Sequence, residues 1–284
     1  MKLLRYGPIG QERPGLQDES GRIRDLSDQM NDLDRGNLEP ERLAALSKLN
    51  PETLPIVEGT IRLGVPLAEV GKIVAVGLNY RDHAAELNLD LPDEPVLFSK
   101  AISSLSGPND DVVMPMGSKK TDWEVELGIV IGRLARNVDQ SEAAACIAGY
   151  SIVNDISERA LQLEGTGQWF KGKSADTFCP VGPWLVTTEE LTDPQNLNLW
   201  LDVNGQRMQS GNTRTMEFGV LHLVSYISRH MSLHPGDIIA TGTPPGVGVG
   251  RTPPKFLAAG DEMRLGIEGL GEQRQMVVAF PEVT

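Results

Sequence analysis

Cysteine is nearly absent. The 284 residues hold Cys146 and Cys179 alone, with no CxxC pair and no histidine partner. That excludes a disulfide framework and a thiolate zinc site, and it suits a reducing compartment such as the cytoplasm. Histidine is almost as scarce, with His83, His222, His230 and His234, so imidazole chemistry has few places to reside. Basic residues are outnumbered, 26 Lys and Arg against 39 Asp and Glu, for a net charge of −13. A face that binds a phosphate backbone is not expected from such a balance. No apolar run approaches the ~18 residues that cross a bilayer, and no charged stretch followed by an apolar one opens the chain as a targeting signal would. The expectation is a cytoplasmic protein without nucleic-acid or membrane partners.

What is present is a succession of short strands. From Gly71 onward KIVAVGL, PVLFSK, ELGIVIG, YSIVND, LNLWLDVNG, DIIATG, EMRLGIEG and RQMVVAF alternate with Gly and Pro turns. That spacing predicts a mainly antiparallel sandwich, barrel or roll, not a doubly wound parallel sheet. Asn204-Gly205 marks a tight hairpin. Helices are expected over Ser141–Ala148, closed by Gly149, and over Met216–Met231. Residues 1–70 read as a small appendage of short strands and one helix in LEPERLAALSKL, followed by a linker-like stretch from Pro51 to Pro66. Residues 71–284 read as one larger unit.

The segment TDWEVELGIVIG places Glu124 and Glu126 at i and i+2 of a strand, on one face, with Trp123, Val125 and Leu127 on the other. Taken alone, the pair also fits the solvated face of an edge strand. Asp155, which ends YSIVND, supplies a third carboxylate. Three oxygen ligands suit a hard divalent ion, Mg²⁺, Mn²⁺ or Ca²⁺, better than zinc.

In NYRDHAAELN, His83 and Glu86 stand three apart, so one helix face can carry both as an oriented general base. The helix is tethered between a strand and Pro92, as a lid over the strand's end would be. In DIIATGTPPGVGVG a strand runs into a Gly- and Pro-rich loop that can offer backbone N–H groups and the Thr243 hydroxyl to an anion. GQWFKGKS matches GxxxxGK[ST] and so raises a nucleotide-binding P-loop as an alternative. Trp169 and Phe170 crowd its interior, and Pro180 and Pro183 follow it, so no helix leaves the loop as that motif requires.

Five ordered motifs, NYRDHAAE, DWEVELGIVIG, YSIVNDISERALQ, KGKSADTFCPVGP and ATGTPPGVG, resemble the fumarylacetoacetate hydrolase family over roughly Gly71 to Phe280. The resemblance implies an α+β, predominantly β fold, a mixed β-sandwich roll, with an appendage like that of members acting on small dioxo acids. It implies Mg²⁺, with Mn²⁺ as a substitute, on Glu124, Glu126 and Asp155. A His83–Glu86 dyad on a lid is implied too, with Lys173 beside the reacting carbonyl and Arg159, Gln162, Gly242 and Thr243 as substrate-binding positions. The implied reaction is hydrolysis of a C–C bond in a 2,4-dioxo acid, a 2,4-dioxo-3-deoxy sugar acid by texture, giving pyruvate and a hydroxy acid. Relatives named ureidoglycolate lyase carry similar motifs, and the same site type serves oxaloacetate decarboxylation, keto–enol isomerisation and hydration. A homodimer is implied as well.

Overall fold

A computed structural model describes residues 1–281; the last three residues of the expected 71–284 unit lie outside the described residues. The short strands assemble into three sheets. The main path of the ten-stranded sheet runs Ile23–Asp25, Arg13–Gln17, Lys2–Tyr6, Cys179–Thr187, Ile147–Asn154, Val125–Ile131, Ile238–Ala240, Ile73–Gly77 and Val96–Lys100. Leu105–Ser106 pairs beside Cys179–Thr187. A five-stranded sheet follows the order Gln206–Asn212, Asn198–Val203, Glu262–Ile267, Gly271–Val278, Val112–Val113. Thr121–Asp122 and Ser157–Glu158 form a two-stranded sheet. Most neighbours are antiparallel, but Ile238–Ala240 runs parallel to Ile73–Gly77. The fold is the predominantly β, mixed-sheet α+β class expected.

Val125–Ile131 and Ile147–Asn154 are buried along their whole length, which accounts for their nearly unbroken apolar sequences. Val125, Leu127 and Ile129 share one core with Leu199, Leu201, Met263 and Leu265 of the five-stranded sheet. Val130, on the opposite face of that strand, joins Leu26, Leu33, Leu38 and Leu43 in a second core. Residues 1–70 thus cover the other face of the large sheet, and they extend it through Lys2 and Leu3, which pair with Val186 and Leu185. The stretch Pro51–Pro66 is no free linker, since Ile56 bridges to Arg24 and Leu63 to Tyr6.

Asn204 and Gly205 take φ of +51° and +74°, as a two-residue hairpin requires, between Asn198–Val203 and Gln206–Asn212. The expected helix over Ser141–Ala148 is shorter. An α-turn at Gln140–Ala143 and a 3-10 turn at Ala144–Cys146 give way to the strand Ile147–Asn154. Gly149 lies inside that strand and is no helix cap; a Cβ there would sit 2.2 Å from the Val186 carbonyl oxygen, so glycine admits the neighbouring strand. The second expected helix begins later, at Val220, and runs Val220–His230. Its first free N–H is met by the Gln195 side chain at 3.0 Å.

Register opens several chain ends at one side of the large sheet. Asn154 lies opposite Val125, while Gly128 and Ala75 both flank Ala240. Asp155 therefore leaves its strand where Glu124 enters the next one, beside the segments that follow Gly77 and Ala240.

Candidate active site

Glu124, Glu126 and Asp155 each present a carboxylate oxygen within 4.8 Å of the other two, and all three are buried. The i, i+2 spacing puts both glutamates on one side, while Trp123, Val125 and Leu127 enter the core. The Asp155 N–H donates to the Glu124 carbonyl at 2.9 Å, which ties the two strand ends together.

Three cations are threaded among these acids. Lys173 Nζ donates to Glu124 Oε2 and Asp155 Oδ2, each at 2.6 Å. Arg159 donates to Asp122 Oδ2 at 2.8 Å, to Gln162 Oε1 at 2.8 Å and to Glu124 Oε1 at 2.6 Å. Lys100, fully buried, donates to Asp155 Oδ1 at 2.6 Å and to the Lys173 carbonyl. Four carboxylates, counting Asp122, thus face three cations, and among the described residues Glu126 is the one that forms no ion pair. Its hydrogen bond, among the described residues, comes from the Gly242 N–H at 2.8 Å.

The electrostatics follow from burial and neighbours. Burial, then the charges of Asp155 and Glu124, push Glu126 well above the ordinary carboxylate range. Burial acts on Glu124 in the same direction, but Lys173 and Arg159 outweigh it and hold that carboxyl low. For Lys173 burial disfavours the charge, yet Asp155 and Glu124 outweigh it and raise its pKa. An all-oxygen donor set with an uncompensated carboxylate fits a hard divalent cation such as Mg²⁺ or Mn²⁺, which would relieve the crowding that raises Glu126.

His83 stands on the short helix Arg81–Glu86. Its Nδ1 lies 3.0 Å from Glu86 Oε2, and Glu86 Oε1 accepts the Gly246 N–H at 2.9 Å. With Nδ1–H given to the carboxylate, Nε2 keeps its lone pair. The helix is thereby latched to the glycine-rich loop.

That loop holds the site more than it offers itself to an anion. The Gly242 N–H is taken by Glu126. The Thr243 hydroxyl donates to the Val125 carbonyl at 2.9 Å and accepts from Gln209 Nε2 at 2.8 Å, so its proton is already committed. Arg159 retains N–H donors beyond its three partners. Gln162 has its carbonyl on Arg159 and leaves its amide N–H groups available. GQWFKGKS makes no phosphate cradle: Phe170–Lys173 is a single helical turn, and Lys173, the lysine of the motif, is spent on Glu124 and Asp155.

Two buried residues complete the cluster without having been picked out in the sequence. Asp122 continues the i, i+2 series of Glu124 and Glu126 one step back. It accepts from Arg159 and from the Gly248 and Val249 N–H groups at 2.7 and 3.0 Å. Lys100 ends an ordinary apolar strand, and nothing local distinguishes it. Glu124, Glu126, His83, Lys173, Arg159, Gln162 and Thr243 contribute to a cavity of about 300 Å³ with Val76, Leu87 and Trp169 among its other walls, and Asp155 stands behind Lys173. Glu86 reaches it through His83, and Gly242 through Glu126.

No described helix is long and apolar enough to cross a membrane. The family description "Fumarylacetoacetate (FAA) hydrolase C-terminal" matches residues 72–278. A protein of Burkholderia orbicola (strain MC0-3), whose name offers hydrolase activity as conjecture and states no substrate, is 58% identical over 276 residues, 97% of this chain and 98% of that one. Maleylpyruvate hydrolase from Sphingobium sp. SYK-6, solved with manganese(II) and pyruvate, is 30% identical with a TM-score of 0.81 over 99% of this chain and all of that one. The 5-carboxymethyl-2-hydroxymuconate delta-isomerase of Mycobacterium smegmatis is 31% identical with a TM-score of 0.77 over the same shares. With its ordered motifs, its mixed sheets and a family match over most of its length, this chain belongs to the fumarylacetoacetate hydrolase family.

Proposed function

We propose that the protein hydrolyses the C3–C4 bond of a 2,4-dioxo (acylpyruvate-type) acid, releasing pyruvate and a carboxylic acid. The observation that carries this reading is the pairing of a His83–Glu86 dyad with a buried three-carboxylate cluster across one cavity. His83 Nε2 takes a proton from water, whose oxygen bonds to C4. Glu86 accepts the Nδ1–H and stabilises the imidazolium that forms. Such general-base assistance contributes about 10²–10⁴-fold. The C3–C4 bond then breaks with its electron pair passing to C3, and proton return to C3 completes pyruvate. Lys173 supplies positive charge at the polar end of the cavity, where oxyanion character develops, and the spare Arg159 and Gln162 N–H groups receive the substrate carboxylate. Gly242 and Thr243 act by holding Glu126 and Val125 in place. A divalent Mg²⁺ or Mn²⁺ held by Glu124, Glu126 and Asp155 would supply Lewis-acid stabilisation of the charge reaching the 2-oxo group, worth several kcal/mol.

Every side chain in this scheme belongs to residues 71–284, so we assign catalysis to that unit and bracing of the sheet to residues 1–70. A homodimer is proposed from the family resemblance; sedimentation at a monomer mass across micromolar concentrations would refute it. Incubation with acetylpyruvate and Mg²⁺ or Mn²⁺ should release pyruvate, detected with lactate dehydrogenase, and EDTA should stop it. No pyruvate from any 2,4-dioxo acid under those conditions would overturn the hydrolase reading. The likeness to an isomerase supports a second reading, proton transfer at C3 without cleavage; loss of substrate absorbance with no pyruvate would select it.

A further inference from the structure

The cavity has two unlike ends. Its polar end is the carboxylate and cation cluster. The other is walled by Leu87, Leu89, Phe98, Leu163 and Trp169. Phe98 and Trp169 meet edge to face with centroids 5.2 Å apart at 65°. The Trp169 ring lies so close on the strand at Gly77 that a Cβ there would be 2.5 Å from Cζ3. Phe98 also joins the two ends, since Lys173 Nζ sits 5.1 Å from its centroid. Leu89 and Leu163 line this wall while 49% and 52% exposed to solvent. Large apolar side chains left wet at the mouth of a cavity gain when an apolar group covers them.

The charged lining groups are equally informative. The two lining cations, Arg159 and Lys173, are both engaged at the polar end. Among the described lining residues, no charged group stands on the leucine and aromatic wall. A second carboxylate, or a row of hydroxyls, would lose its water there and find few partners.

We propose that the preferred substrate has a single carboxylate and an apolar acyl tail, alkyl or aryl, and that Leu87, Leu89, Phe98, Leu163 and Trp169 select it. The hydroxylated tail of a 3-deoxy sugar acid, expected from the sequence, is disfavoured by this wall, as is a tail ending in carboxylate. The inference rests on the acylpyruvate reading of the polar end.

The test is a set of 2,4-dioxo acids with one head and different tails: methyl, n-propyl, phenyl, a dihydroxypropyl isostere and a carboxyethyl isostere. Binding to the protein with Mg²⁺ is measured by calorimetry beside kcat/KM for pyruvate release. Affinity and kcat/KM should rise about four-fold per methylene from methyl to propyl. The hydroxylated and carboxylated tails should fall at least about ten-fold below propyl. Equal or better binding of either polar tail would overturn the proposal. If nothing turns over, the hydrolase reading fails, while the affinities still decide the tail preference. Leu163→Gln, at a half-exposed position, should bring the propyl-to-methyl ratio close to one. An unchanged ratio would remove the wall from the selection.

Discussion

The carboxylate cluster and the His83–Glu86 dyad face the same cavity but are held in opposite ways. Glu124, Glu126 and Asp155 project from the ends of central strands; Lys100, Arg159 and Lys173 lace Glu124 and Asp155, the Gly242 N–H holds Glu126, and all six side chains are buried. The dyad sits on a helix of six residues, and Glu86 is secured to the rest of the protein by the Gly246 N–H. Crowded like charges stay together only where the backbone and counter-charges leave them no alternative. A general base needs orientation, and the short helix provides it through Arg81 on the Met216 and Arg214 carbonyls, the Thr215 hydroxyl on Asp82 and the Gly246 N–H on Glu86. Buried charge and oriented base are the two halves of the proposed chemistry.

This contrast can be broken at either half. Asp155→Asn should have the largest effect, because it removes a proposed ligand and leaves the buried Lys100 and Lys173 short of their partner. Turnover should fall roughly 10³-fold or more, and denaturant unfolding should show a loss of about 3–5 kcal/mol. Glu86→Gln should leave stability and metal affinity nearly unchanged. The amide can accept from Gly246 yet would present an N–H to His83 Nδ1, forcing the proton onto Nε2 and the base into the wrong tautomer. A kcat loss of roughly 10²-fold, measured with metal saturating, is expected. Gly246→Ala should do least. With φ of +108° and a Cβ that would lie 2.0 Å from the Met208 carbonyl oxygen, the loop must shift and loosen the latch on Glu86. A kcat decrease of about ten-fold is expected, and equal losses for the two lid variants would say that latch and tautomer are one effect.

The same contrast governs what could be read from the chain itself. The strands were visible because burial on two faces writes itself as apolar runs, and the hairpin because Asn204-Gly205 suits φ above zero. Glu124, Glu126 and Asp155 were visible because strand periodicity forces i and i+2 together and a strand-ending Asp lands beside them. His83 and Glu86 follow from helical spacing. What was hidden is tertiary. Lys100 reaches Asp155 across 55 positions, and no local pattern reports it. Asp122 could have been found by extending the glutamate spacing one step back. Gly149 was misread because a glycine that ends a helix and one that admits a neighbouring strand look alike in sequence. The apolar wall draws on Leu87, Phe98, Leu163 and Trp169 from separate segments, so no local pattern in the sequence announces it.

The separability of the two halves is tested most directly by titrating manganese into wild type, His83→Ala and Glu126→Gln. Bound metal is read by electron paramagnetic resonance and pyruvate release is measured in the same samples. His83→Ala should bind manganese within about three-fold of wild type and lose at least about 10²-fold in pyruvate release, whereas Glu126→Gln should lose metal and turnover together. Glu126→Gln binding manganese like wild type, or His83→Ala releasing pyruvate at the wild-type rate, would contradict the account.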